Sequence, residues 1–467
     1  MSMRISHIPF YDRLPVSSLR LLTAAAVYAV PVMLLMLWKL QAGIIMAVAP
    51  LLFLTVAHGP TAIMILIAAS FVYIPLGVDI FLLPADLAAF VLIAAYVVDL
   101  LCRGASPVRN RIARPYLAYL LVIVISLSLE GFTDLSVRFF SRQVVLFGTF
   151  AAVAHFGYKI RVRHFLQLMI IAAVVNSSFS LSQFLMAGGQ IRTFGAAGLG
   201  FGDHAMLAFL ISVVYYFWSR DLRARFLYGM AAIITMGGMV ATQTRASIIT
   251  AMWGLAIVIF LALWAGARLS RKSPRRNLFI AGALVLLIVP LLALYTPIFE
   301  GIFYRFGRMG LEATGTILLR VSLWKAALSA FWANPLFGIG TGNFAAIHLW
   351  IPEVRFDPIF YLVAGLSTHA LAMTALAETG LAGFSTLAYF LVRAVKTAFR
   401  NFSEAESNYD IADTHCLLAV AIAVLGSSIY AGSWFWGNNS YHMAIFFGLI
   451  ASYRHHPDPP KVGGEEA

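Results

Sequence analysis

Uncharged apolar runs recur along almost the whole of this chain, and that alone rules out a water-soluble globule. Fourteen runs approach or reach the roughly 17–25 residues that cross a bilayer as helix. They are 21–38, 43–57, 60–76, 84–101, 115–131, 140–156, 164–186, 203–218, 226–241, 246–266, 277–296, 369–392, 413–432 and 438–453. Of the 467 residues only 11% are charged and 61% are hydrophobic, with a mean hydropathy of +0.86. A soluble domain would have nowhere to put that apolar surface. The expected fold class is an all-α polytopic membrane protein with about 12–14 transmembrane helices. The second and third runs are short and share Gly59-Pro60 as their break, which leaves room for a count of twelve or thirteen. The first run follows Arg4, Arg13 and Arg20, lacks a small-residue cleavage site, and reads as an uncleaved first span.

The charges set an orientation. The net charge of +13 does not point to nucleic acid, because the basic residues are scattered over many short loops instead of gathered in a stripe. With the N-terminus inside, most Lys and Arg fall on inner loops, from Arg103–Arg114 through Arg268–Arg276 to Arg454 and Lys461. Ten remain outside: Lys39, Arg138, Arg142, Arg192, Arg245, Arg305, Arg308, Arg320, Lys325 and Arg355. The positive-inside rule then places both termini in the cytoplasm and favours an even number of spans. Cys102 and Cys416 offer no metal cage, and the topology puts both at cytoplasmic helix ends, where they stay reduced.

The expected organisation is a cytoplasmic N-terminus (1–20), a membrane domain of about eleven spans (21–296), a long outer loop (297–368), three C-terminal spans (369–453) and a cytoplasmic tail (454–467). The outer loop, about seventy residues, is far longer than an ordinary connection, and such loops are usually functional. Apolar residues at helical spacing predict a helix over Leu318–Trp332, stopped by Asn334-Pro335. Gly338, Gly340 and Gly342 follow. With no strand before them they read as a tight turn more than a nucleotide loop.

Polar chemistry kept at a membrane is usually kept for function. Ser367 or Thr368 is expected to N-cap the helix that re-enters the membrane, with His369 in its first turn. The positive helix end disfavours imidazolium, and a neutral imidazole can act as a general base. A lone interfacial histidine, however, more often has no chemical role. Arg245 stands in the short turn Thr242-Gln243-Thr244-Arg245, and Arg320 in the long loop. Guanidinium groups suit bidentate binding of phosphate oxygens. Headgroup contacts, or pairs with Glu300, Glu312 or Glu353, are the commoner use. Glu378 lies nine residues past His369 and either braces the fold or binds an arginine. Trp434 and Trp436, beside Asn438 and Asn439, could stack on sugar rings but also suit an aromatic belt. No Walker motif, zinc-ligand spacing or paired outer-loop carboxylates appear.

Taken together these motifs resemble the bacterial O-antigen ligases and related surface-polysaccharide polymerases. The resemblance covers about residues 190–385. It lies in the Thr242–Arg245 turn, in the Arg-x-x-x-Trp helix from Arg320 that leads to Pro335-Leu-Phe-Gly-Ile-Gly-Thr-Gly-Asn-Phe344, and in His369 with the downstream Glu378-x-Gly380-x-x-Gly383. A weaker part is Arg192-Thr-Phe-Gly195 with Gly202-Asp203-His204. It implies a metal-independent, cofactor-free inverting glycosyltransferase of the bacterial inner membrane, with its active site facing the periplasm. The donor would be an oligosaccharide or polysaccharide on polyprenyl diphosphate, and the acceptor a glycan or lipid A–core hydroxyl. By the same resemblance His369 is the base; Arg245 and Arg320, with Arg192, hold the diphosphate. Gly338, Gly340, Asn343, Glu378, Trp434 and Trp436 are candidates for structural or acceptor-site support. Ala370 departs from the polar residue usual after the histidine. Ligase and polymerase share the motif set. A transporter or flippase of lipid-linked saccharide is the alternative, but its arginines would lie deep in spans, whereas these cluster at outer ends.

Overall fold

The computed structural model describes residues 59–71, 84–103, 111–159, 161–188, 193, 201–268, 309–344, 368, 370–428 and 439–454, all within the compact unit His58–Ala467. The expected spans at 21–38, 43–57 and 277–296 lie outside them. The described helices are α1 (Gly59–Ser70), α2 (Pro84–Arg103), α3 (Ala113–Glu130), α4 (Asp134–Phe156), α5 (Val162–Met186), α6 (Phe201–Trp218), α7 (Leu222–Ala241), α8 (Arg245–Arg268), α9 (Met309–Ala333), α10 (Leu371–Glu404), α11 (Asn408–Ser427) and α12 (Asn439–Ser452). No strand occurs among the described residues. Nine of these helices are long and apolar enough to cross a membrane, and α1 and α12 are shorter apolar helices. The protein is an all-α, polytopic, integral membrane protein.

Burial is arranged as a lipid solvent demands. Large apolar side chains such as Leu101, Met186 and Leu222 are exposed, while Ser126, Gln143, Thr149 and Ser212 are buried between helices. Polar groups inside a bilayer need partners from the protein, so they turn inward. Parallel and antiparallel neighbours are pinned at both ends. At one end His155 meets Asp99 at 2.6 Å, Arg163 approaches Asp413 and stacks over Tyr409, and Tyr215 donates to Asp413. This end carries Lys159, Arg161, Arg220, Arg223, Arg225 and Arg454. The opposite end carries the starts of α6, α8 and α10, the ends of α7 and α11, and every described motif of the resemblance.

Local chemistry explains the helix limits. Thr133 caps α4 in a reciprocal capping box with Ser136. Asp221 caps α7, and Ser407 caps α11. The Thr133 cap starts α4 at Asp134, six residues earlier than the expected 140. Arg138 and Arg142 therefore lie within a helix. Arg142 is no spare outer cation: it pairs with Asp86 of α2 at 3.3 Å and lies over the Tyr441 ring. Cys102 is exposed at the end of α2. Cys416 is not at a helix end but buried within α11, and both are free thiols.

Candidate functional site

The helix expected over Leu318–Trp332 is present and longer, running Met309–Ala333 and ending before Asn334-Pro335. It is not among the candidate spans. With Ile339, Phe344 and Ala377 it forms a small apolar cluster of its own, through Leu323, Ala326, Ala327 and Ala330. The chain then turns back through Gly338, Gly340 and Gly342, all at positive φ.

That turn is locked into a break in α10. Gly380, at φ 62° and ψ −162°, interrupts the helix. The break frees backbone groups on both sides of it, and the glycine turn takes them. Ile339 N–H donates to the Ala377 carbonyl at 2.9 Å and Gly340 N–H to the Glu378 carbonyl at 3.0 Å. In return Leu381 N–H donates to the Pro335 carbonyl at 2.8 Å and Ala382 N–H to that of Leu336 at 3.1 Å. The two backbones approach so closely that only glycine fits. A Cβ at Gly338 would stand 2.6 Å from the Ala377 oxygen, and one at Gly380 would stand 2.6 Å from the Phe337 nitrogen.

Side chains seal the interlock. Glu378 is itself buried beside the turn. Asn343 donates to the Ile339 carbonyl at 2.8 Å and accepts from the Thr133 hydroxyl at 2.9 Å. The Ser126 hydroxyl sits between the carbonyls of Phe337, at 2.6 Å, and Glu378, at 3.0 Å. Ser126 and Thr133 escape motif reasoning. Their signal is weak: a hydroxyl within an apolar span, and a Thr-x-x-Ser cap just before a helix.

One bond ties this assembly to the position before His369. Trp324 lies one turn after Arg320 on α9, and its indole N–H donates to the Thr368 carbonyl at 3.2 Å. Arg320 is half-buried, and no described carboxylate pairs with it. The helix does not start at 369 as expected. It starts at Leu371 with Ala370 as N-cap and no side-chain capping bond. The Thr368 hydroxyl is engaged instead with Ala370 N–H and the Thr374 hydroxyl, and Leu371 N–H donates to the Ser428 carbonyl of α11. His369 itself lies outside the described residues, as do Arg192, Trp434 and Trp436.

A second assembly surrounds the Thr242–Arg245 turn at the same end. Arg245 is the first residue of α8. Gln243 holds φ at 51° within the turn. The Thr242 hydroxyl donates back to the Met239 carbonyl and accepts from Thr244 N–H. The Ser247 hydroxyl donates to Asp203 at 2.7 Å, so the first turn of α6 leans on the first turn of α8. Thr193, next in the chain to Arg192, donates its N–H to the Ala241 carbonyl at 3.2 Å. Thr193 and Asp203, which belong to the weaker part of the resemblance, are thus joined to the two sides of the arginine turn. Among the described residues no cluster of three or more His, Cys, Asp or Glu side chains could hold a metal ion.

A broken helix locked to a glycine turn at one end of an apolar bundle defines a membrane protein with a built polar end. Residues 230–388 match the family model described as O-antigen ligase, from within α7 to the lower part of α10. The match supports an O-antigen ligase-related family and a glycan-transferring function of the ligase or polymerase type. No curated protein matches the chain.

Proposed function

We propose that this chain transfers a glycan from a polyprenyl-diphosphate carrier to an acceptor hydroxyl at the periplasmic face of the inner membrane, inverting the anomeric centre without a metal ion. The acceptor is a lipid A–core sugar or a further lipid-linked glycan. The observation that carries this reading is the Trp324–Thr368 bond, because it brings the Arg320 helix to the backbone that leads into His369. The family match covers both elements.

In this mechanism His369 accepts the proton of the acceptor hydroxyl as the oxygen attacks the anomeric carbon. The bond from that carbon to the diphosphate oxygen breaks on the opposite face, and the electron pair leaves with the lipid diphosphate. Arg245 and Arg320, with Arg192, take up the charge that develops there. Fixed guanidinium groups aimed at a leaving diphosphate do in a dry site what a divalent cation does elsewhere. The interlock holds α9 and the start of α10 at fixed spacing, which supports a set geometry between base and leaving group. Both termini are cytoplasmic in this reading.

His369→Ala tests the assignment. The variant should insert and melt like wild type and lose about 10²–10⁴ in transfer rate. Near-normal product from a folded variant would remove His369 from the reaction.

A further inference from the structure

Two histidines that the mechanism does not use lie buried beside the arginine turn. His204 stands in the first turn of α6 and His442 in the first turn of α12, and neither has exposed surface. Their ring centroids are 4.3 Å apart, and Phe71 packs against both, at 4.9 and 5.3 Å. The Ser70 hydroxyl has one proton and donates it to the Ile67 carbonyl at 2.7 Å. Towards His442 it can therefore only accept, so His442 Nε2, 3.0 Å away, is the donor. In the neutral ring Nδ1 is then a bare acceptor, and among the described residues it has no hydrogen-bond partner. An apolar ring would fill the same space without that cost. Polar groups kept inside a membrane protein at such a cost are usually kept for function.

The pair lies between the two polar-end assemblies. On one side Asp203, the residue before His204, accepts from Ser247 in the first turn of α8, the helix that Arg245 opens. The approach there is close: a Cβ on Gly202 would stand 2.8 Å from Ser247 Oγ and 3.0 Å from Thr242 Oγ1. On the other side Ser440 and Tyr441 immediately precede His442 in α12. Tyr441 donates to Asp86, and Arg142 reaches Ser440 at 3.5 Å. Arg142 lies about two and a half turns along α4 from Thr133, whose hydroxyl holds Asn343 of the glycine turn. A continuous set of contacts thus runs from the glycine turn through α4 and α12 to the arginine turn. We infer that His442, acting through His204, is a positioning residue for the donor diphosphate: it holds the turn that carries Arg245 in register with the lock. The inference rests on the donor assignment above.

His442→Phe keeps a buried ring but cannot donate to Ser70. Its donor KM should rise about fivefold, with acceptor KM and kcat close to wild type, because a loosened turn weakens the grip on ground state and transition state alike. Ser70→Ala leaves both rings in place, should show a smaller rise of the same kind, and carries the test if His442→Phe does not fold. His415→Phe is the control: His415 is equally buried and is held by Trp218 at the other end of the bundle. It should leave both KM values unchanged. Added to Ser247→Ala, His442→Phe should raise donor KM little further, since both act on one connection. A fall in kcat with both KM values as in wild type, an equal rise in both KM values, or full additivity with Ser247→Ala would overturn the inference. A second readout needs no turnover. A spin label on Ala246→Cys, in a chain carrying Cys102→Ser, should become more mobile in His442→Phe and Ser70→Ala but not in His415→Phe. Unchanged mobility in the first two would overturn the inference. If wild type transfers no glycan from a polyprenyl-diphosphate donor, the functional reading fails, and the label alone decides whether the histidines hold the turn.

Discussion

The two assemblies at the polar end differ in how much of each is backbone. The glycine turn and the α10 break are joined backbone to backbone, by four N–H to carbonyl bonds between segments some forty residues apart in sequence. At the Thr242–Ser247 turn side chains take a larger part: the Thr242 hydroxyl closes the turn on Met239 and Thr244, and Ser247 bonds Asp203, beside one backbone bond from Thr193 N–H to the Ala241 carbonyl. A backbone lock tolerates almost no substitution where the chains touch, because a Cβ there has no space and the φ needed is costly for other residues. A side-chain frame gives way one bond at a time. The lock suits a part that must stay rigid. The frame suits a turn that presents an arginine and can be tuned.

The largest effect that would break this contrast is at the lock. Gly380→Ala should destabilise the protein by about 3 kcal/mol or more, from backbone collision and positive φ together. The measurement is a thermal melt in detergent. A melt like wild type would mean the lock is not rigid.

Thr133→Val sharpens the contrast within the lock by leaving its backbone bonds alone. It removes the α4 cap and the bond to Asn343, at a cost of about 2 kcal/mol. A loss equal to that of Gly380→Ala would put side chains and backbone on the same footing.

Ser247→Ala should have the smallest effect on stability, about 1 kcal/mol, from the lost bond to Asp203. It should lower transfer more than that implies, since it loosens the turn that carries Arg245. Unchanged donor KM and kcat in the variant would detach Asp203 from the site.

Much of this was legible in the sequence, for reasons specific to each element. Every expected span that falls on described residues is a helix, because apolar runs in a bilayer have little other choice. The α9 helix and its stop were readable from apolar spacing and Asn334-Pro335. The glycines were visible as a turn, but their partner was not. Nothing local in Glu378-Thr-Gly380 says that a helix breaks there, since a glycine within a helical pattern is usually just tolerated. The start of α10 differs from the sequence expectation because Thr368 has the composition of a cap but does not act as one. Its hydroxyl bonds Ala370 and Thr374, contacts that appear only once the chain is folded. Arg142 reads as an outer cation in the sequence, because nothing local points to Asp86, its partner 56 positions away.

The claim on which the account turns is that arginines, and no metal ion, hold the lipid diphosphate. It is tested by transfer from a purified polyprenyl-diphosphate glycan, with and without EDTA, for wild type and for Arg245→Lys and Arg320→Lys. Wild type should keep its activity in EDTA. Each lysine variant should lose most of its activity, because an ammonium lacks the planar two-point grip of a guanidinium. Full loss in EDTA for wild type, or full activity in both lysine variants, would contradict the account.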